Sequence, residues 1–368
     1  MKVFKLKTLF IFILVLFAGI ANAQQKDSFA LQLYSEVYAS SIPNKPFDKN
    51  RPAFHYNYSK ANNAGINLAL ARAHYSKQRF RTNLGLMAGD YPTANLAAEE
   101  PWAKIIYEAN AGVKLSKTSD LWLDAGVLPS HIGFETAIGR DNWSATRSIV
   151  ADNSPYYETG FRLSFQPGPK WYFAALMLTG WQRITFPRKK GEPDFGTQVT
   201  FKPSSKFFIN HSSFIGRTPN AFSNANRYYS NLFATIQLHS KLAAQFGWDF
   251  GAEYRPTGLS KYVVWNAWCT QLQYKLIPDR WQLTTRYERF IDRKTILFEL
   301  PEQIYHQFNV HHLSFNIDRF IGKGFFLRAE ANYQSSPYPI FRKGTQLTDQ
   351  QFSAFLMASY NFQYSKKR

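Results

Sequence analysis

Few stretches of this 368-residue chain place chemically capable residues at a useful spacing. In Asn210-His211-Ser212-Ser213, His211 and Ser213 stand two apart. On a strand they share one face, where an imidazole base could reach a serine nucleophile. Parity groups that face with Phe207, Ile209 and Ile215, so it points to an apolar surroundings, and Asn224 or Asn226 would be the third member. His311 and His312 are adjacent, face opposite sides of a strand and do not easily chelate one metal together. His131 stands alone, and no zinc spacing, Gly-rich phosphate loop or calcium loop occurs, so no cofactor is implied. Cys269 is the single cysteine, which rules out an intramolecular disulfide and a Cys-based metal site. The richest polar stretch is 129–155, with Glu135, Arg140, Asp141, Arg147 and Asp152. Such a long connection either enters a larger fold and filters what passes, or lies over its rim.

The elements that must position these residues read as β-strands. From 241 to 254 every second residue is apolar: Leu242, Ala244, Phe246, Trp248, Phe250, Ala252 and Tyr254. Period two means a strand with two different faces, and this one is long enough to cross a bilayer at a tilt. Sixteen such segments are expected near 29–39, 64–75, 79–89, 104–116, 120–128, 156–165, 171–183, 195–201, 206–215, 228–238, 241–254, 262–274, 281–291, 306–317, 325–334 and 352–364. The connections between them alternate short and long, the long ones being 40–63, 90–103, 129–155, 184–194, 216–227, 255–261, 292–305 and 335–351. An all-β, transmembrane, antiparallel up-and-down barrel of about sixteen strands follows, with tight turns at one end and long loops at the other.

The ends and the composition agree. Lys2, Lys5 and Lys7, the apolar run 9–20 and the small residues Ala21-Asn22-Ala23 make a secretory signal, with cleavage between Ala23 and Gln24. The barrel then occupies 24–368. Aromatic residues are 17% of the chain, as expected where aromatic girdles mark both membrane interfaces. The last segment carries Phe352, Ala354, Leu356, Ala358, Tyr360, Phe362 and Tyr364 on one face and resembles the assembly signal read by the barrel-assembly machinery, except that Ser365-Lys366-Lys367-Arg368 follows it.

Charge sorts by strand parity. The inward basic candidates are Arg79, Arg81, Lys104, Lys114, Arg162, Lys241, Arg286 and Arg328. The inward acidic candidates are Glu36, Glu108, Asp124, Glu158, Asp249, Glu253, Glu288 and Glu330. The wall is therefore close to neutral, with cross-strand ion pairs expected for Arg162 and Arg328. Removing the three signal lysines from the formal +19 leaves +16, and this surplus belongs to loops and turns. It includes Lys45, Lys49, Arg51 and Lys60 in the first long loop, Arg188, Lys189 and Lys190 in the fourth, and the tail. Export leaves no role for nucleic acid, and the rim cations are either solvated or set against anionic lipid headgroups of the outer membrane.

Trp122-Leu-Asp-Ala-Gly-Val-Leu-Pro-Ser-His-Ile-Gly-Phe-Glu135 resembles the strand, turn and Ile-Gly-Phe/Tyr-Glu signature of the β-barrel porin-2 (OmpL-like) family. Thr146-Arg-Ser-Ile-Val-Ala-Asp-Asn-Ser-Pro-Tyr-Tyr-Glu-Thr-Gly160 is similar to that family's next block. Leu178-Thr-Gly-Trp181 is similar to its Asn-Gly-Trp strand ending, with Thr179 in place of Asn. The resemblance is specific over 120–183. It implies an outer-membrane channel of a diderm bacterium, and the barrel pattern taken as a whole leads to a passive channel for small hydrophilic solutes, with no reaction implied. The other readings are a phospholipase-like hydrolase with the exterior Ser/His site, and a structural or adhesive barrel without an open pore.

Overall fold

The structure, a computed structural model, describes residues 27–185, 192–220, 223–254, 261–297 and 307–367. Sixteen antiparallel strands close into a barrel. They are β1 (Ser28–Ser41), β2 (Ala64–Lys77), β3 (Phe80–Ala88), β4 (Ile106–Lys114), β5 (Asp120–Pro129), β6 (Tyr157–Gln166), β7 (Trp171–Leu178), β8 (Asp194–Ser204), β9 (Phe207–Asn220), β10 (Ser223–His239), β11 (Leu242–Tyr254), β12 (Tyr262–Ile277), β13 (Trp281–Asp292), β14 (Phe308–Ile321), β15 (Phe325–Ser335) and β18 (Gln350–Lys367). A small hairpin, β16 (Phe341–Lys343) with β17 (Gln346–Thr348), sits in the connection before β18. β18 pairs with β1 from Ser28–Lys367 to Ser41–Ala354 and closes the sheet, so every strand has a partner on both sides. Among the described residues no helix is long and apolar enough to cross a membrane; the crossing is made by strands.

The period-two pattern explains the two walls. The outward rows are apolar and left bare by the protein, as with Leu33 at 45% exposed and Leu356 at 63%. A bilayer covers such a surface, since closure pairs each barrel strand along both edges and the outward side chains match hydrocarbon. The inward rows carry the polar residues: all eight acids expected to point inward are buried.

Several expectations need correction. The connection expected at 216–227 is instead a continuation of β9 and β10, which pair up to Asn220 and Ser223. Those strand ends are polar and carry no apolar alternation to reveal them. β7 stops at Leu178, five residues early. Ser365, Lys366 and Lys367 are the last rungs of β18, opposite Ala30, Phe29 and Ser28, and are no free tail. Arg79 lies in the turn before β3 and donates to the Lys114 carbonyl at 3.1 Å, while Lys104 lies in a short 3-10 turn and Lys241 in the turn before β11. None of these three lines the barrel wall. The signal segment 1–23, the cleavage residues Ala23 and Gln24, and Arg188, Lys189 and Lys190 lie outside the described residues.

Candidate functional site

The barrel interior is filled by its own loops. β5 ends and β6 begins at the long-loop end, and the third loop, 130–156, descends from there into the lumen. Its entry is pinned at His131. Nδ1 lies 2.7 Å from Glu158 of β6 and Nε2 lies 2.9 Å from the Ser213 carbonyl of β9. With a carboxylate at Glu158 both partners accept, so the protonated ring donates from both nitrogens. Burial lowers the His131 pKa, but the Glu158 carboxylate outweighs it and the net shift is upward. A Cβ on Gly196 would lie 2.7 Å from this ring, so β8 needs glycine there.

Deeper in, the loop is held by the wall. Glu330 of β15 accepts from the amides of Ala145 and Thr146 at 2.5 and 3.0 Å. Glu288 of β13 accepts from the Ile149 amide at 2.7 Å, at the start of the one-turn helix Ile149–Asp152. Arg286 donates to the Thr146 carbonyl at 2.5 Å and lies within 3.9 Å of Glu135, Glu288 and Glu330. Arg328 forks onto Asp318 at 2.6 and 2.8 Å and donates onward to the Asn142 carbonyl at 2.9 Å. A buried carboxylate or guanidinium is costly unless paired, and here backbone groups of the loop complete the pairing. The wall charges clamp the third loop.

Within the loop, Arg147 is fully buried. It donates to the carbonyls of Thr136, Ala137 and Ala145 at 2.5 to 2.7 Å, which folds the loop on itself. Glu135 accepts from Ser148 and from Gln271 of β12. Burial raises the Glu135 pKa, opposed mainly by Arg286. Asp152 ties the first loop to the third, accepting from the Asn57 amide nitrogen at 2.8 Å and standing 3.5 Å from His55. Burial raises the Asp152 pKa and drives that of His55 well below its ordinary value, so His55 is neutral. Arg140 and Asp141 form the tip. Arg140 reaches the turn between β14 and β15, donating to the Gly324 carbonyl at 2.5 Å. Gly139 beside it passes so close to the wall that a Cβ would lie 2.1 Å from Glu36 Oε2.

Apolar packing completes the filling. One cluster joins Ile132, Ile149 and Val150 of the third loop and Phe54 of the first loop to Phe214, Trp265, Phe290 and Phe308 of the wall. A second joins Ala137 and Ile138 to Tyr34, Leu68, Leu70 and Tyr157. The β2–β6 side keeps hydrated charge: the side chains of Arg72, Arg81 and Arg162 are 36, 25 and 21% exposed. Arg81 and Arg162 share Asp124, and Arg72 lies 3.6 Å from Glu108. Asp141 is exposed at the loop tip, close enough to Arg72 for their charges to interact.

Sequence parity therefore places Arg81, Glu108, Glu158, Arg162, Asp249, Glu253, Arg286, Glu288, Arg328 and Glu330 inside, but they divide by task. Glu158, Arg286, Glu288, Arg328 and Glu330 hold the third loop. Asp249 accepts from Tyr229 and Asn231, and Glu253 pairs with Arg227 at 2.7 Å. Of the five loop candidates, Glu135, Arg147 and Asp152 are structural and only Arg140 and Asp141 reach the tip. The sequence reading missed Arg227 and Asp318, one residue outside the strand bounds drawn for them, and it missed Arg72, which parity along β2 could have found. Arg51, expected on a solvated rim, is 4% exposed.

The exterior pair is not made. His211 and Ser213 do share the outer face of β9, but His211 Nε2 bonds the Ser230 hydroxyl at 3.0 Å and Ser213 bonds Thr197 at 2.6 Å. Asn226 also faces outward, on β10, and the side chain of Asn224 lies outside the described residues. His311 faces out to Tyr287 and His312 faces in to Glu288, as their adjacency required. Among the described residues no group of His, Cys, Asp and Glu could hold a metal ion.

A closed sixteen-strand barrel with an apolar outer band and a long loop folded inside is the architecture of an outer-membrane porin. The chain belongs to the family described as putative beta-barrel porin-2, OmpL-like, which matches residues 28–362. It is an outer-membrane protein of the Gram-negative cell envelope. No curated protein matches the chain in sequence. Solved structures match in fold. OprB of Pseudomonas putida aligns at TM-score 0.60 and 12% identity, over 92% of this chain and 94% of that one. The anion-selective porin from Comamonas acidovorans aligns at TM-score 0.58 and 8% identity, over 92% and 99%. A loop-deletion form of OmpT, an outer membrane protein of Vibrio cholerae, aligns at TM-score 0.55 and 10% identity, over 92% and 100%.

Proposed function

We propose that the protein is a passive diffusion channel for small hydrophilic solutes, with its passage narrowed by the third loop. The observation that carries this is the third loop itself, clamped inside a porin-type barrel, with Asp141 of its tip exposed within electrostatic reach of the hydrated Arg72. Opposed charges across a narrow passage set which solutes pass. The apolar clusters that cross the lumen favour a narrow or intermittently open path, and they also support a second reading, a structural barrel without an open pore. Export by the 1–23 signal and recognition of β18 by the barrel-assembly machinery, through Phe352, Tyr360, Phe362 and Tyr364, belong to the same account. Reconstituting the purified chain in a planar bilayer separates the two readings. The channel gives discrete ohmic current steps, and a folded barrel that inserts without any steps is structural. The hydrolase reading has little support, since His211 is bonded to Ser230 and not to Ser213.

A further inference from the structure

The loop end of the barrel holds a cavity of ≈ 530 Å³ above the loop-filled lumen. Its wall includes Arg51 and Lys60 of the first loop, Asp90, Arg342 and Gln351. Four arginines elsewhere in this protein share one arrangement, whereas Arg147 is met by backbone carbonyls. Arg81, Arg162, Arg227 and Arg328 each present the Nε–Nη2 edge to a carboxylate, at distances from 2.5 to 3.3 Å. That edge is the fork that grips both oxygens of a carboxylate.

Among the described residues no carboxylate meets the same edge of Arg51. Its Nη1 donates to the Asn57 carbonyl at 2.9 Å and its guanidinium lies 4.9 Å from the Phe355 ring centre. Its Nε is buried without a hydrogen-bond partner. Gln351, 3% exposed on the same wall, has an amide nitrogen in the same condition. The two cavity acids are engaged: Asp48 lies 3.8 Å from Arg342, and Asp90 accepts from the Tyr38 hydroxyl at 2.6 Å. Burial draws the Arg51 pKa down to about 10 against the pull of Asp152, so the group is still a cation at neutral pH. Among the described residues neither of these two buried donors on one cavity wall has an acceptor, and a buried donor without one is costly.

We infer that this cavity binds the carboxylate of a small organic acid, gripped by the Nε–Nη2 edge of Arg51 and by the amide of Gln351. Phe54, Pro52, Leu297 and Ile340 on the wall supply an apolar flank for the body of the acid. As an entry site for a solute this rests on the channel reading, but the binding itself needs no conduction.

The test is calorimetric titration of the purified full-length barrel with sodium benzoate, beside benzyl alcohol and phenyl phosphate. Benzoate binding that falls about tenfold or more in Arg51→Gln, and several-fold in Gln351→Leu, is the expected result. Benzyl alcohol should not compete. Unchanged benzoate binding in both variants, or none to the folded wild type at millimolar concentration, overturns the site. Phenyl phosphate binding tighter than benzoate overturns the carboxylate assignment. Should Arg51→Gln fail to fold, Gln351→Leu, which changes no charge, decides. Arg51-dependent binding in a barrel without current steps keeps this site and removes the channel; current steps without such binding do the reverse.

Discussion

The guanidinium of Arg140 donates to the Gly324 carbonyl at 2.5 Å, although the two residues belong to opposite ends of the barrel. Arg140 belongs to a loop that leaves β5 at the long-loop end, and Gly324 is in a tight turn at the other end, where both termini of the barrel lie. The third loop therefore runs the depth of the lumen, and its far point is fastened. A loop tethered only at its root would sample the passage; a loop tied at both ends restricts it steadily.

Arg140→Ala removes that fastening and little else. A hydrogen bond from a charged donor contributes about 1.5–3 kcal/mol, so the tip should detach while the rest of the loop keeps its clamps. Single-channel recordings should then show larger and noisier steps than the wild type, with unchanged heat-modifiable migration on gels. Superimposable recordings would mean that the tip does not set the passage.

Glu330 is the stronger anchor. It takes the amides of Ala145 and Thr146 and the Thr146 hydroxyl, and it is one of three carboxylates around Arg286. Replacing it with Ala leaves a buried cation short of a partner, a loss of about 3–5 kcal/mol. The variant should unfold at lower temperature and its third loop should become cleavable by added protease in intact vesicles. Wild-type protection of the loop in a folded Glu330→Ala barrel would contradict the clamp.

Gly139 is a test of fit. Valine there would place its Cβ 2.1 Å from Glu36 Oε2 and 2.8 Å from the Tyr58 hydroxyl, both fully buried. The wall cannot yield far in a packed interior, so the loop tip must move. Gly139→Val should raise conductance much as Arg140→Ala does. A loss of folding with no change in the folded fraction's conductance would place the strain elsewhere.

What could be read in advance follows from the physics of each signal. Strands such as β11 and β15 alternate apolar and polar residues because one face meets lipid and the other does not, so the sixteen strands and the inward set of Asp249, Glu253, Arg328 and Glu330 were legible by parity alone. The ends of β9, β10 and β14 extend past the hydrocarbon, where alternation stops, and Arg227 and Asp318 were lost there. The third loop was marked by its length, but nothing in its composition says whether Glu135 or Asp141 faces water. That is set by wall residues 130 or more positions later, such as Gln271 and Glu330. Arg51 was read as rim charge because its burial depends on Phe355 and Asn57, and no local pattern encodes the first contact.

The pH response should show at His131. Its pKa is raised in the fold above the ordinary 6.5, so its bond to Glu158 contributes fully below about pH 6.5 and is lost as pH rises through the raised value. Thermal stability of the wild type should therefore fall with pH across that window by more than that of His131→Asn, in which the step is absent. The same slope in both proteins would remove His131 as the titrating anchor.

The central claim is that the third loop, held by wall charges, sets the passage of a porin-type barrel. The most direct measurement is single-channel conductance of the wild type beside a variant with residues 136–148 replaced by a short Gly-Ser link, in the same lipid and salt. The account predicts small discrete steps for the wild type and steps several-fold larger for the variant. Equal conductance in the two proteins, or a folded variant barrel that passes no current, would contradict it.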